Sequence, residues 1–156
     1  MLKENNINPQ AIELKKLFPI LNYSSLEENK NLQDKWANLL TNALDPNRSK
    51  YIMPIYAEIL KDLTPIEVKI LDSLYKEITK RPIEEQKRST FYTDKKEIIA
   101  EHDYLTEEEF DIYLDNLIRL NLCTYRPIEG FILGPRINNT IKLTKLGISF
   151  IKSCQR

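Results

Sequence analysis

This sequence predicts a mostly α-helical fold with one small β-hairpin, and three observations predict it. Glycine is scarce, three in 156 residues, so few positions are reserved for positive φ. Apolar residues recur at three- and four-residue spacing along most of the chain, and two segments open on Thr-x-x-Glu boxes that start helices. Only "CTYRPIEG" and "TIKL" alternate apolar and polar residues as strands do.

The elements follow in order. Residues 9 to 22, "PQAIELKKLFPILN", carry Ile12, Leu14, Leu17, Phe18 and Leu21, a short amphipathic helix interrupted near Pro19. Ser24 or Ser25 caps a second helix, with Glu27 and Glu28 three residues on. Along it Leu32, Trp36, Leu39, Leu40, Ala43 and Leu44 form one apolar stripe, with Asp34, Lys35 and Asn38 turned away. That helix ends before Pro46, because the residue preceding proline avoids the helical region. After "DPNRSK" a third helix buries Ile55, Tyr56, Ile59, Leu60 and Leu63. Thr64, Pro65 and Glu67 then open a fourth with cap, first-turn proline and capping box.

Residues 80 to 93, charged and without period, are expected to be a mobile loop. A helix over about 94 to 102 precedes one opened by Thr106 and Glu109, whose apolar side holds Phe110, Tyr113, Leu114, Leu117, Ile118 and Leu120. A two-stranded hairpin and a final helix close the chain. Helix, helix, helix, hairpin, helix is a winged-helix order. Residues 1–63 therefore form an N-terminal helical part and 64–156 a winged-helix-like part, the two making one compact unit.

Lysine plus arginine equals aspartate plus glutamate, 23 of each, so no global charge draws the chain to nucleic acid or an anionic membrane. No apolar run approaches about 18 residues, so no membrane span is expected. Cys123 and Cys154 match no metal spacing and read as small buried side chains in a reducing cytoplasm. The lone histidine, His102, excludes metal sites built on two histidines. Beside Glu101 and Asp103 it reads as a surface helix cap rather than a base. With no glycine-rich phosphate loop and no converging carboxylates, neither an enzyme nor a cofactor is expected.

Charge is unevenly placed. Residues 107 to 119 hold five acids and Arg119, a net of −4. Reading of the DNA major groove by this helix is therefore disfavoured. Residues 126 to 156 hold six bases and one acid, a net of +5, and Arg126, Arg136, Lys142 and Lys145 are the candidate contacts of a basic wing. This layout has three readings, in order of weight: simple balance of charge, self-association, and nucleic-acid contact. The apolar Ile128, Phe131, Ile132 and Leu133 beside the wing turn suggest a homodimer with the hairpin at its interface.

"LQDKWANLLTNALDPN", followed by "MPIYAEILKDLTPIEVKILDSL", resembles the signature of the Abi-alpha (abortive infection alpha) family of bacterial proteins. The likeness extends through "YLDNLIRLNL" and "LTKLGISFIKSC". It singles out Trp36, Ala37, Asn38, Leu39, Leu40 and Asp45 as motif residues, structural or interacting. Trp36 by itself reads as a core anchor. The resemblance implies a link to phage-triggered abortive infection without a defined activity. It also implies an alanine-rich upstream region that these residues lack, so membrane or toxic roles of that region are not expected of this chain. The expected function is that of a cytoplasmic, non-enzymatic defence protein acting through protein contacts with an undefined partner. The alternative is a winged-helix nucleic-acid binder or regulator that uses its basic wing.

Overall fold

A computed structural model describes residues 11–82, 92–126 and 139–155. Among the described residues the chain is mostly helical, with seven α-helices and a small three-stranded antiparallel sheet. It divides into two compact units, Met1–Val68 with Ser149–Arg156, and Lys69–Ile148. The divisions fall inside two continuous helices, the fourth and the last.

In the first unit α1 (Leu14–Ser24) runs unbroken through Pro19, against the expected interruption. Proline lacks one donor, and that loss is survivable in a helix packed on two others. α1 buries Ile20 and leaves Leu14, Phe18 and Leu21 at 77, 69 and 48% exposure, so its buried face is not the one the spacing suggested. The cap of α2 (Lys30–Leu44) is Asn29, whose side chain accepts from the N–H groups of Asn31 and Leu32. The expected Ser24 and Ser25 instead donate to Leu21 and Asn22 carbonyls at the end of α1. α2 ends at Leu44, before Pro46, as expected. A short 3-10 turn (Ser49–Tyr51) leads to α3 (Ile55–Lys61), which buries Tyr56, Ile59 and Leu60 but leaves Ile55 exposed.

α4 (Pro65–Thr79) starts as its sequence predicts. The Thr64 N–H donates to Glu67 Oε2 at 2.6 Å, and the Glu67 N–H to Thr64 Oγ1 at 3.3 Å. In the second unit β1 (Thr93–Asp94) adds a third strand to the two expected. Most of the predicted loop 80–93 lies outside the described residues, and Thr93 within it is strand. Asp94 caps α5 (Lys95–Ala100) through the Lys96 N–H. α6 (Glu107–Arg119) carries the predicted capping box of Thr106 and Glu109 and buries Phe110, Leu114 and Leu117 completely.

α6 stops in a Schellman arrangement. Asn121 takes φ 57°, the Leu122 N–H reaches the Leu117 carbonyl, and the Asn121 N–H reaches that of Ile118. The chain then enters β2 (Cys123–Tyr125), which pairs with β3 (Thr140–Leu143) in the order β1-β3-β2. Register sets Cys123 opposite Leu143, Thr124 opposite Lys142 and Tyr125 opposite Ile141, with Thr93 also opposite Ile141. Thr93, Cys123, Ile141 and Leu143 are buried on one face. Thr144 holds both ends of the turn into α7 (Lys145–Ser153). It donates from Oγ1 to the Asn121 carbonyl at 2.6 Å and accepts from the Gly147 N–H at 2.9 Å. No described helix is long and apolar enough to cross a membrane.

Candidate functional site

Three groups of polar side chains carry the chemistry of the described residues. The first is the motif on α2. Trp36 is 2% exposed and its ring lies 6.4 Å from that of Tyr23. Its Nε1–H meets no acceptor among the described residues. Leu39 is fully buried, while Ala37 and Leu40 are half-buried.

Asn38 is not turned to solvent as its place on the helix suggested. It is half-buried and donates from Nδ2 to the Cys154 carbonyl at 3.3 Å. One turn on, buried Asn42 donates to the carbonyls of Ser153 at 2.9 Å and Gln155 at 3.0 Å. Its Oδ1 accepts from Arg48 at 3.1 Å. The last carbonyls of a helix have no intrahelical donors, and α2 supplies donors to α7 in their place. Asp45 caps α2, accepting the Asn47 N–H on its carboxylate and the Arg48 and Ser49 N–H groups on its carbonyl.

The second group surrounds His102, which is 4% exposed and is no surface cap. Its Nε2 lies 3.1 Å from Ser73 Oγ and its Nδ1 3.0 Å from the Tyr104 hydroxyl. A hydrogen bond from Ser73, ahead of the Lys76 ion pair at 3.2 Å, holds the Glu101 carboxyl below its usual range. Burial pushes the imidazole pKa down, Glu101 pulls it up and Lys69 adds to the lowering.

The third group is the outer face of the sheet and the neighbouring helix α6. Lys142 Nζ stands 4.8 Å and Arg126 Cζ 5.8 Å from the centroid of the Tyr92 ring. Arg126 is exposed, and its N–H extends the ladder to the Thr140 carbonyl. Lys145, also exposed, begins α7, whereas Arg136 and the apolar Ile128, Phe131, Ile132 and Leu133 lie outside the described residues. On α6 the acids are less alike than their count implied. Lys95, with its side chain 10% exposed, pairs with Asp111 at 2.7 Å and Glu107 at 3.3 Å. Burial alone would lower its pKa, and these two partners outweigh it and raise the pKa. Glu108 and Asp115 remain exposed, and between them Ile112 is 64% exposed.

The local signals for this third group were partial. Charge counting found the bases and the acids, but Tyr92 and Lys95 were missed because their partners are distant in sequence. Cys123 is deeply buried, which pushes its thiol pKa up and leaves it unreactive. No group of three or more His, Cys, Asp or Glu that could hold a metal occurs among the described residues. A recess of about 260 Å³ beside Lys16, Ser49 and Lys50 is small for an organic ligand.

Fold and clusters together define a helical protein with a minor sheet, whose motif residues join elements within a unit. The chain belongs to the abortive infection alpha family, whose model matches residues 1–154. No curated protein and no solved structure matches it.

Proposed function

We propose that this chain is a non-enzymatic, cytoplasmic component of bacterial phage defence that acts through protein contacts. The family match over residues 1–154 carries the reading. The burial of His102, at 4% exposure, supports the non-enzymatic part, since a buried imidazole is closed to a substrate. Expression in a phage-sensitive bacterium tests the role. Infected cells should stop yielding phage and die early, and an unchanged burst overturns the reading. Ser73→Ala and His102→Gln, confirmed folded, should protect as well as the wild type. Loss of protection in a folded Ser73→Ala variant would point to catalysis instead.

A second reading, a winged-helix nucleic-acid binder, has one specific support. The second unit runs helix, strand, helix, helix, strand, strand, and the sheet's outer face sets two cations about one tyrosine, a combination suited to phosphate and base. Lys142 and Arg126 would carry that contact, with no part for the acidic face of α6.

A further inference from the structure

Helix α1 is apolar on two faces. Its inner face buries Ile20 and half-buries Leu17 and Tyr23, the last beside Trp36 of α2 with its hydroxyl donating to Glu58 of α3. Its outer face carries Leu14, Phe18 and Leu21, three large side chains that are all exposed. Their spacing of four and then three residues is that of a helix-pairing seam, and Ser25, exposed just past the helix, continues it four residues on. The chain is described without a break from residue 11 to 82. That range takes in all of α1 and the two helices it packs on, α2 and α3, and none of their side chains covers the row. A helix apolar all round is normally enclosed, whereas α1 is enclosed on one side only. On the other described helices large apolar side chains are exposed singly, Ile55 on α3 and Ile112 on α6. Singles are ordinary, but a contiguous row of roughly a few hundred Å² marks a contact surface.

We propose that the Leu14–Phe18–Leu21 face of α1 pairs with the same face of a second copy of this chain, the two helices antiparallel about a two-fold axis. In that register Phe18 packs on the partner's Leu21 at the centre and Leu14 on the partner's Ser25 at each end, so the seam complements itself. The helix ends favour this direction. α1 has no acid in its first turn and no base in its last. Antiparallel pairing brings exposed Lys15 alongside the last turn of the partner's α1, the negative end of its dipole. Parallel pairing would set Lys15 against Lys15 and the two negative ends side by side. Charge also selects a second copy over a lipid surface. From residue 11 to 26 the charged residues are Glu13, Lys15 and Lys16, and Lys16 is paired to Glu13. One base remains where helices that lie on anionic membranes carry many. The area buried, roughly a few hundred Å² per copy, is below that of a standard interface, so the dimer is reversible rather than obligate.

The proposal rests on the reading that this chain acts through protein contacts, and it fails separately from it. Sedimentation reads the contact in purified protein, whereas phage yield reads the role in cells. The wild type should move from monomer towards dimer mass as concentration rises. Added salt should leave that shift in place, because burial of apolar area drives it. Phe18→Glu and Leu21→Glu should each stay monomeric, with melting curves like the wild type at dilution, since both side chains lie outside the core. Ile112→Asp, on another helix, should associate as the wild type does. Cross-linking with oxidised glutathione reads the direction. Leu14→Cys mixed with Ser25→Cys should give a disulfide-linked dimer with one chain of each, and Leu14→Cys alone should not link to itself. A wild type that is monomeric at every concentration overturns the proposal. So does association that survives either glutamate variant, dissociation by salt, or self-linking of Leu14→Cys without linking to Ser25→Cys. If the wild type stays monomeric and sediments with vesicles of anionic phospholipid that Phe18→Glu does not bind, the face belongs to lipid.

Discussion

Trp36 is a motif residue whose place is in the core. Its side chain is buried beside Tyr23, and truncation to alanine removes a large apolar volume from a closed site. Trp36→Ala should therefore cost about 3–5 kcal/mol, a large share of the stability of an ordinary domain. Because Nε1 has no acceptor among the described residues, Trp36→Phe gives up no such bond. It should cost less than about 1.5 kcal/mol, in the range of hydrophobic swaps of similar size. Chemical denaturation of the two variants checks both values, and equal losses would mean that the indole N–H is bonded after all. The burial of Trp36 was legible from its place on the α2 stripe. The burial of His102 was not, since Ser73 lies 29 positions away and no local pattern pairs them.

At the scale of elements, legibility tracked distance along the chain. Both Thr-x-x-Glu boxes and the stop before Pro46 formed as predicted, because each is decided within one turn. Strand β1 was missed because two residues are too few to alternate. The joint between α6 and α7 was missed because it is made of backbone. Thr144 bonds the carbonyls of Asn121 and Leu122, and Gly147 packs so closely there that an added Cβ would overlap the Leu122 carbonyl oxygen. Gly147→Ala should thus cost about 1–3 kcal/mol through forced displacement of backbone, despite the better helix propensity of alanine. A gain in melting temperature would show that α7 can shift without penalty. Asn42→Leu tests the other end of α7. It removes the donor to Ser153 and Gln155, and stranding those carbonyls should cost about 1–3 kcal/mol.

For the whole molecule, zero net charge conceals groups whose titration pulls in one direction on the acid side. Glu58 is held below its usual range by Lys61 and then by the Tyr23 hydroxyl. Glu101 is held down by Ser73 and Lys76, and Glu109 by Thr106, first through its backbone N–H and then its hydroxyl. A carboxyl with a depressed folded pKa binds fewer protons folded than unfolded, so it stabilises above the unfolded value and loses that stability as pH falls. His102 has the same sign for another reason, since burial disfavours its charged form. Its contribution is present above an ordinary histidine pKa near 6.5 and begins to disappear at that point, before the carboxyls titrate near 4. Stability should therefore fall in two stages on acidification, the first between about pH 7 and 5. His102→Gln removes the only histidine and should flatten that first stage while leaving the second. Denaturant midpoints at pH 8, 6 and 4 for the two proteins decide the matter: parallel curves from pH 8 to 6 would mean that His102 titrates as freely folded as unfolded.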